Sequence, residues 1–433
     1  MYSQFKNKVN KLMKNEDYKR ITGNILSLFS LQGLTYLLPL ITFPYLTRVL
    51  GPEKYGLIAF ATAFIAYFQI FTDYGFNLSA TREISINRED NVQLSKIFSS
   101  VIFSKFLLMI ISFIIVSIVI FSIDKFKTNW ILYYATFGLV IGNLLLPSWF
   151  FQGMEKMRYI SILNIITSLL FTVSIFIFVR GANDYLYVPL INSVGAIIIG
   201  IIAIRIILKD FKIKLIIPSK EDIKAQLKNG WHIFVSTVAI SFYTTSNVFV
   251  LGIFASTAIV GYYSAAERII YMALGLFGPI SQSLYPYISS IASKSKQNAA
   301  NIVKKVTVYM TSFTFIISIV IFFTAGLILN ILAGHQFDNS IIILRILSFL
   351  PLVVGLSNVF GVLFLFALGY SNRVSRVQAI VGVCYPLLLV PMTYYLKDIG
   401  TALSFLVVES IITLLFWKIY RNVINELKIC SKE

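Results

Sequence analysis

Apolar residues in this chain gather into runs of about twenty, broken by short polar, glycine- or proline-containing punctuation. At a rise of 1.5 Å per helical residue, a run of that length crosses the roughly 30 Å hydrocarbon core of a bilayer. Twelve runs follow one another, at roughly 21–49, 56–80, 97–122, 130–152, 159–179, 185–207, 231–254, 258–290, 305–332, 340–368, 377–396 and 399–419. Backbone groups in hydrocarbon have no water to bond, so each run reads as a helix. The pattern predicts an all-α polytopic membrane protein of about 12 transmembrane helices. No stretch between runs exceeds about 25 residues, which leaves no room for an extramembrane catalytic domain.

The interruptions carry the organisation. The stretch from Asn24 to Glu83 holds two runs, and both contain groups that a lipid-facing helix avoids: Pro39 and Pro44 in the first, Arg48 at its far end and Asp73 in the second. Proline removes a backbone donor, and an ionisable group in hydrocarbon costs several kcal/mol unless it meets a wet or protein-lined environment. These residues predict a cavity, with the prolines as candidate hinges. Residues 208–230 divide the chain nearly in half. Pro218 there precedes Ser219, which with Asp222 forms an S-x-x-D capping pattern ahead of Ile223 and Leu227, with a stop at Gly230. This reads as a basic amphipathic linker helix on the cytoplasmic face. The predicted segments are a basic tail (1–20), a six-helix lobe (21–207), the linker (208–230), a second six-helix lobe (231–420) and a tail (421–433).

The halves are related. At an offset of 205, Asn24 and Gly56 fall on Asn229 and Gly261; at 216, Gly153 of FQGMEKMR falls on Gly369 of FALGYSNR. Six spans per half is an even number, so the halves share one orientation, related by an axis normal to the membrane. Two parallel bundles side by side leave a central cleft.

Composition fixes the class. Of 433 residues, 57% are hydrophobic and 13% charged, and the mean hydropathy is +0.80, far from the balance of a soluble domain. A net charge of +18 suggests nucleic acid, but its distribution argues otherwise. Outer loops hold only Arg48, Lys54, Lys125, Lys127, Arg180 and Lys397, and most of the remaining Lys and Arg lie in the segments read as cytoplasmic. That is the positive-inside bias, which places both termini in the cytoplasm. The first run is too long for a signal peptide and lacks a small-residue cleavage site, so it reads as a retained anchor. Phe5, Val9, Leu12 and Met13 recur at helical spacing among basic residues, fitting either a short helix on the inner membrane surface or a disordered basic tail. Two cysteines, Cys384 and Cys430, make no disulfide framework.

Candidate chemistry lies in the charges inside the runs. Lys105, nine residues into the third run, is roughly 13 Å deep; it lines a cavity, or snorkels or pairs structurally. Arg268 sits at similar depth in a run that continues through Gly275, Gly278, Pro279 and Pro286, so this helix can bend beside the cleft. Glu267 is about 100° from it around the helix and points to a different neighbour. Glu409, ten residues into the last run, is either protonated or paired and is a candidate for ion coupling, as are Asp73 and Glu267. Arg345 and Arg48 lie nearer the outer surface. The sequence has no G-x-x-x-x-G-K-[ST] loop and no paired Cys or His spacing, so no metal or cofactor is predicted.

The combination of PYLTRVLGPEKYG (Pro44 to Gly56), the D-x-G of Asp73 and Gly75 followed by Arg82, FQGMEKMR, and GYYSAAERI (Gly261 to Ile269) resembles the polysaccharide-unit flippases of the Wzx type, which handle O-antigen and capsule units. These belong to the superfamily of multidrug, oligosaccharidyl-lipid and polysaccharide exporters. The resemblance implies two six-helix lobes facing across a cation-lined cavity that opens alternately to either side. It also implies no enzymatic activity and a bacterial inner-membrane location. The implied cargo is an undecaprenyl-pyrophosphate-linked oligosaccharide, a lipid-linked oligosaccharide whose diphosphate needs a positive path; Arg268, Lys105, Arg48 and Arg345 are the candidates. Membrane lipids, a polysaccharide polymerase and chain-length machinery are the implied partners, with the chain acting as a monomer. Alternatives are a drug/cation antiporter or a lipid II flippase of the same superfamily and, from another class, a membrane-embedded glycosyltransferase or polymerase. The last would need an acidic catalytic or metal site and a sizeable outer loop, and neither is visible.

Overall fold

The computed structural model describes residues 16–429, with side chains from Leu38 to Leu427; the pattern at Phe5 to Met13 and Cys430 lie outside the described residues. The first half of the chain forms α1 (Glu16–Asp73), α2 (Phe76–Ile86), α3 (Asn91–Ser122), α4 (Asp124–Lys127), α5 (Trp130–Leu145), α6 (Ser148–Gly153), α7 (Met157–Phe178) and α8 (Tyr187–Asp210). The second half forms α9 (Lys220–Thr244), α10 (Ser246–Phe254), α11 (Thr257–Gly275), α12 (Phe277–Lys294), α13 (Lys296–Leu332), α14 (Ser340–Leu347), α15 (Leu350–Asn358), a π-helix over Val359–Phe366, and α16 (Ser371–Ile429). No strand occurs among the described residues. Eight helical stretches among them are long and apolar enough to cross a membrane, or nine if α9 and α10, which meet at 54°, form one span.

The side chains are arranged for a solvent of lipid. Along α3 the outward face carries Ile110, Phe113, Ile114, Ile118 and Phe121, while Ser104, Lys105 and Ser112 are buried. Hydrocarbon is as apolar as leucine, so helices associate through close packing of small residues and through internal hydrogen bonds rather than by hiding apolar surface. Buried hydroxyls accordingly bond the carbonyl one turn back, as Ser104 does to Ser100 at 2.7 Å and Thr136 to Leu132 at 2.7 Å.

Two of the helices fold back on themselves. In α1 the backbone leaves helical geometry at Gly51, at φ 69° and ψ 174°, which glycine alone adopts without strain. Pro52 follows, pre-set for a first helical turn. In α16 the same event falls on Lys397, at φ 52°. Pro39 and Pro44, by contrast, do not interrupt α1: Gly51 is its single non-helical residue. The Thr42 and Thr47 hydroxyls donate to the carbonyls of Leu38 and Phe43, the latter at 3.0 Å, so the turns around both prolines keep internal bonds. Pro279 stands in the first turn of α12, where a missing N–H costs least, and the break in this region falls at Leu276.

The predicted linker helix over 208–230 is corrected in both directions. Residues 212–218 are not helical, because Pro218 disfavours helix in the residue before it and the segment has better partners. Ser95 and Ser99, one turn apart on α3, accept hydrogen bonds from the backbone N–H groups of Lys214 and Ile216 at 3.0 and 2.9 Å. The helix begins only after the Ser219–Asp222 capping box and runs through Gly230 into α9 without stopping. Gly230 serves a close approach instead: a Cβ there would lie 2.7 Å from the carbonyl of Tyr74.

The halves meet backbone to backbone. A Cβ on Gly56 would fall 1.9 Å from the carbonyl of Thr257 and 2.5 Å from the nitrogen of Gly261; one on Gly261 would fall 2.0 Å from the carbonyl of Pro52. The two glycines that correspond at the offset of 205 therefore lie against each other. Gly261→Ala should lower thermal stability by about 3 kcal/mol, the upper range for overpacking. Gly195→Ala, which meets nothing within 4 Å, should change it by less than about 1 kcal/mol. Heat inactivation in detergent that leaves the two variants alike would remove this contact from its place at the centre of the fold.

Candidate functional site

A cavity of about 440 Å³ lies between the halves. Its first wall is the stripe Tyr55, Ile58, Ala59, Thr62, Ala63 and Ala66, all on one face of the second arm of α1 at helical spacing. Small residues there keep the backbone close and the space open. Pro39, Thr42, Phe43 and Leu46 of the first arm, with Phe171 and Asn192, complete that side. The opposite wall is Ser264, Glu267, Arg268 and Tyr271 on α11, with Thr244, Thr245 and Val248 at the bend between α9 and α10.

The charges on the second wall differ in state. Arg268 is exposed to the cavity, and among the described residues its guanidinium has no ion-pair or hydrogen-bond partner. An arginine cannot shed its charge, so its position on the cavity wall is suited to an anionic group. Glu267 is engaged: Tyr263 donates to its carboxylate at 3.1 Å and the Asn247 side-chain amide at 3.5 Å. The Tyr385 hydroxyl in turn donates to the Asn247 carbonyl at 2.6 Å, tying α10, α11 and α16 together. Glu409 lies within electrostatic reach of Tyr243, Tyr271 and Tyr385, and no hydrogen bond or ion pair reaches its carboxyl among the described residues.

Three of the predicted cations stand elsewhere. Lys105 does not line the cavity; it is 1% exposed, and its ammonium donates to Asp73 at 2.8 Å and to the backbone and side-chain oxygens of Asn143 at 3.4 Å. Asn143 also donates to Asp73, at 3.3 Å. The cost of burying the lysine is offset by a carboxylate one helix away, which removes both residues from any free role in the cleft. Arg48 is exposed on the face where α1 turns, donating to the carbonyl of Ile331 at 2.6 Å. Arg345 is exposed in the last turn of α14 and does not line the cavity. The residues that sequence reasoning missed are neutral: Asn192, Asn247, Thr244 and Thr245. A threonine pair and an asparagine inside an apolar run, TTSN, were the available signal. Among the described residues no group of three His, Cys, Asp or Glu is placed to hold a metal.

Helices of this length and hydropathy define a polytopic membrane protein. A family model described as "Polysaccharide biosynthesis protein" matches residues 21–292, and the chain belongs to that family. It is 34% identical over 416 residues to the "Putative O-antigen transporter" of Escherichia coli (strain K12), covering 96% of this chain and 100% of that one. Among solved structures it is similar to lipid II flippase MurJ in an inward closed conformation, with a TM-score of 0.73 at 15% identity over 93% of this chain and 92% of that one. It is also similar to an inward-facing multidrug resistance transporter of the MATE family, with a TM-score of 0.71 at 14% identity over 91% and 96%.

The buried ion pair yields a direct test. Asp73→Asn strands Lys105 without a counter-charge and should destabilise the protein by about 3 kcal/mol, whereas Asp73→Asn with Lys105→Met should recover much of the loss. Equal melting of wild type and Asp73→Asn would show that the pair contributes nothing.

Proposed function

We propose that this chain is a flippase that carries lipid-linked oligosaccharide units, joined to their lipid through a diphosphate, across the bacterial inner membrane by alternating access. The observation that carries the reading is the unpartnered Arg268 guanidinium in the cavity between the halves. A diphosphate bonds arginine through charge-assisted, bidentate contacts. Hydroxyl, amide and aromatic groups on the facing wall, among them Thr62, Asn192 and Phe171, suit sugars. Family membership and the name of the Escherichia coli relative support the cargo class.

On this reading the helices make twelve spans in two lobes. The stretches Leu38–Ile86 and Ser371–Leu427 each exceed one crossing and turn at Gly51 and Lys397. The joined pairs α9 with α10 and α11 with α12 each supply one more. The charge bias places the linker and both termini in the cytoplasm, and the face carrying Gly51 outside. The lipid tail stays in the bilayer at the gap between lobes.

A drug/cation antiporter would rely on an acidic cavity group. Here the acidic group, Glu267, is already bonded while the cation is free, which favours anionic cargo. Coupling to an ion movement rests with Glu267 and Glu409, since Asp73 is held by Lys105.

Arg268→Ala, at normal expression, should weaken cargo binding by roughly tenfold or more, the loss of one charge-assisted contact; Arg268→Lys should retain part. Surface polysaccharide restored to wild-type levels by Arg268→Ala in a deletion strain would overturn the reading. Glu409→Gln should abolish the pH dependence of flipping in proteoliposomes, and an unchanged profile would exclude Glu409 from coupling.

A further inference from the structure

The face carrying Gly51 closes the cavity with an arrangement that repeats across the two halves. Directly above the cavity, Phe43 and Tyr55 stack edge to face at 6.0 Å, Tyr55 meets Phe337 at 6.1 Å, and Phe337 meets Tyr262 at 6.1 Å. Phe43 and Tyr55 come from the first half and Tyr262 and Phe337 from the second, so this aromatic ceiling joins the halves.

Two clasps flank it. The last turn of a helix leaves its carbonyls without partners and carries the negative end of the helix dipole. At the end of α13 those carbonyls are taken by the first half: Arg48 donates to Ile331 at 2.6 Å and the Thr47 hydroxyl to Leu332 at 3.3 Å. At the end of α10 the first half again supplies a cap, with the Lys125 ammonium donating to the carbonyls of Gly252, of Ile253 at 3.2 Å and of Ala255 at 3.4 Å, while Lys397 of the second half takes the remaining carbonyl, of Phe254, at 3.1 Å. In chain order the first arm of α1, before Gly51, corresponds to α9 with α10, and α3 to α13. A contact from the end of the first arm of α1 to the end of α13 therefore has as its counterpart one from beyond α3 to the end of α10. Arg48 and Lys125 make these two corresponding contacts from opposite ends, and both cations belong to the first half.

We infer that Arg48 and Lys125 form a paired electrostatic latch that holds the cavity shut on the Gly51 face and must release for cargo to leave there. Separation of the halves would withdraw both cations at once from the helix ends they cap, so the two clasps act together. Water can replace them on the freed carbonyls, which keeps the latch breakable. Pro39, Thr42, Phe43 and Leu46 of α1 line the cavity and Arg48 follows on the same helix, so occupancy below bears on the latch above. The latch rests on the alternating-access reading but not on the identity of the cargo.

The test uses the full chain with Cys384→Ser and Cys430→Ser and a reporter, Thr62→Cys, in the cavity. A membrane-impermeant maleimide is applied without cargo, to spheroplasts for one face and to inverted vesicles for the other. Arg48→Ala with Lys125→Ala should raise labelling at the Gly51 face by about tenfold, on the scale of one or two charged hydrogen bonds, and lower it at the linker face. Arg48→Lys with Lys125→Arg should stay close to wild type. Unchanged labelling at the Gly51 face, with the linker face still reactive, overturns the latch. Should the double variant misfold, Arg48→His with Ile331→His provides a second arm. Nickel bridging the pair should suppress labelling at the Gly51 face and a chelator restore it, and labelling indifferent to nickel overturns the inference.

Discussion

The contact on which this architecture depends is the meeting of two backbones at Gly56 and Gly261. Neither position has space for a methyl group, and each is the counterpart of the other in the two halves. In a bilayer, where apolar surface gains little from being hidden from lipid, such close approach is what draws helices together. Beyond this contact lie the aromatic ceiling and the helix ends capped by Arg48 and Lys125; below it the halves diverge around the cavity. A tight crossing beside an open space is a geometry that separates charge from lipid without filling the space between.

Two basic residues of similar depth illustrate how the interior assigns roles. Lys105 meets a carboxylate and an amide from neighbouring helices and becomes part of the packing. Arg268 meets open space and stays available. The difference lies in the neighbours rather than in the residues, since both would be costly alone in hydrocarbon. Glu267 shows a third outcome: a carboxylate facing the cavity yet held by Tyr263 and Asn247.

The local features that sequence reading located share a cause: each is a property of a few consecutive residues. The Ser219–Asp222 capping box and the apolar runs are of this kind. The correspondence of Gly56 with Gly261 was visible as an offset, though not that the two would touch. What was not legible required knowing which helix lies beside which. Asp73 and Lys105 are 32 residues apart, and nothing in either run marks the other as its partner. The non-helical segment before Pro218 was misread as helix because the serines that hold it are on α3, more than a hundred positions away. For the same reason Lys125, an ordinary loop lysine in the sequence, gave no sign of the helix end it caps.

The segment before Pro218 has a mechanical meaning for the molecule as a whole. Residues 212–218 are pinned to α3, and just beyond them Asp222 pairs with Lys96 at 2.9 Å, while Gln226 and Asn229 donate to Glu83, each at 2.7 Å. Tyr74 stacks on Phe234 at 4.5 Å on the same flank. The start of the second half is thus bound along one edge to the first, as pages are bound at a spine, and past the 54° bend between α9 and α10 the contact continues through Ser246, bonded to Tyr67 at 2.7 Å, and Phe249, stacked on Phe60. On the proposed alternating-access reading, a parting of the halves on the linker face would hinge on this bound edge and have a single direction of opening.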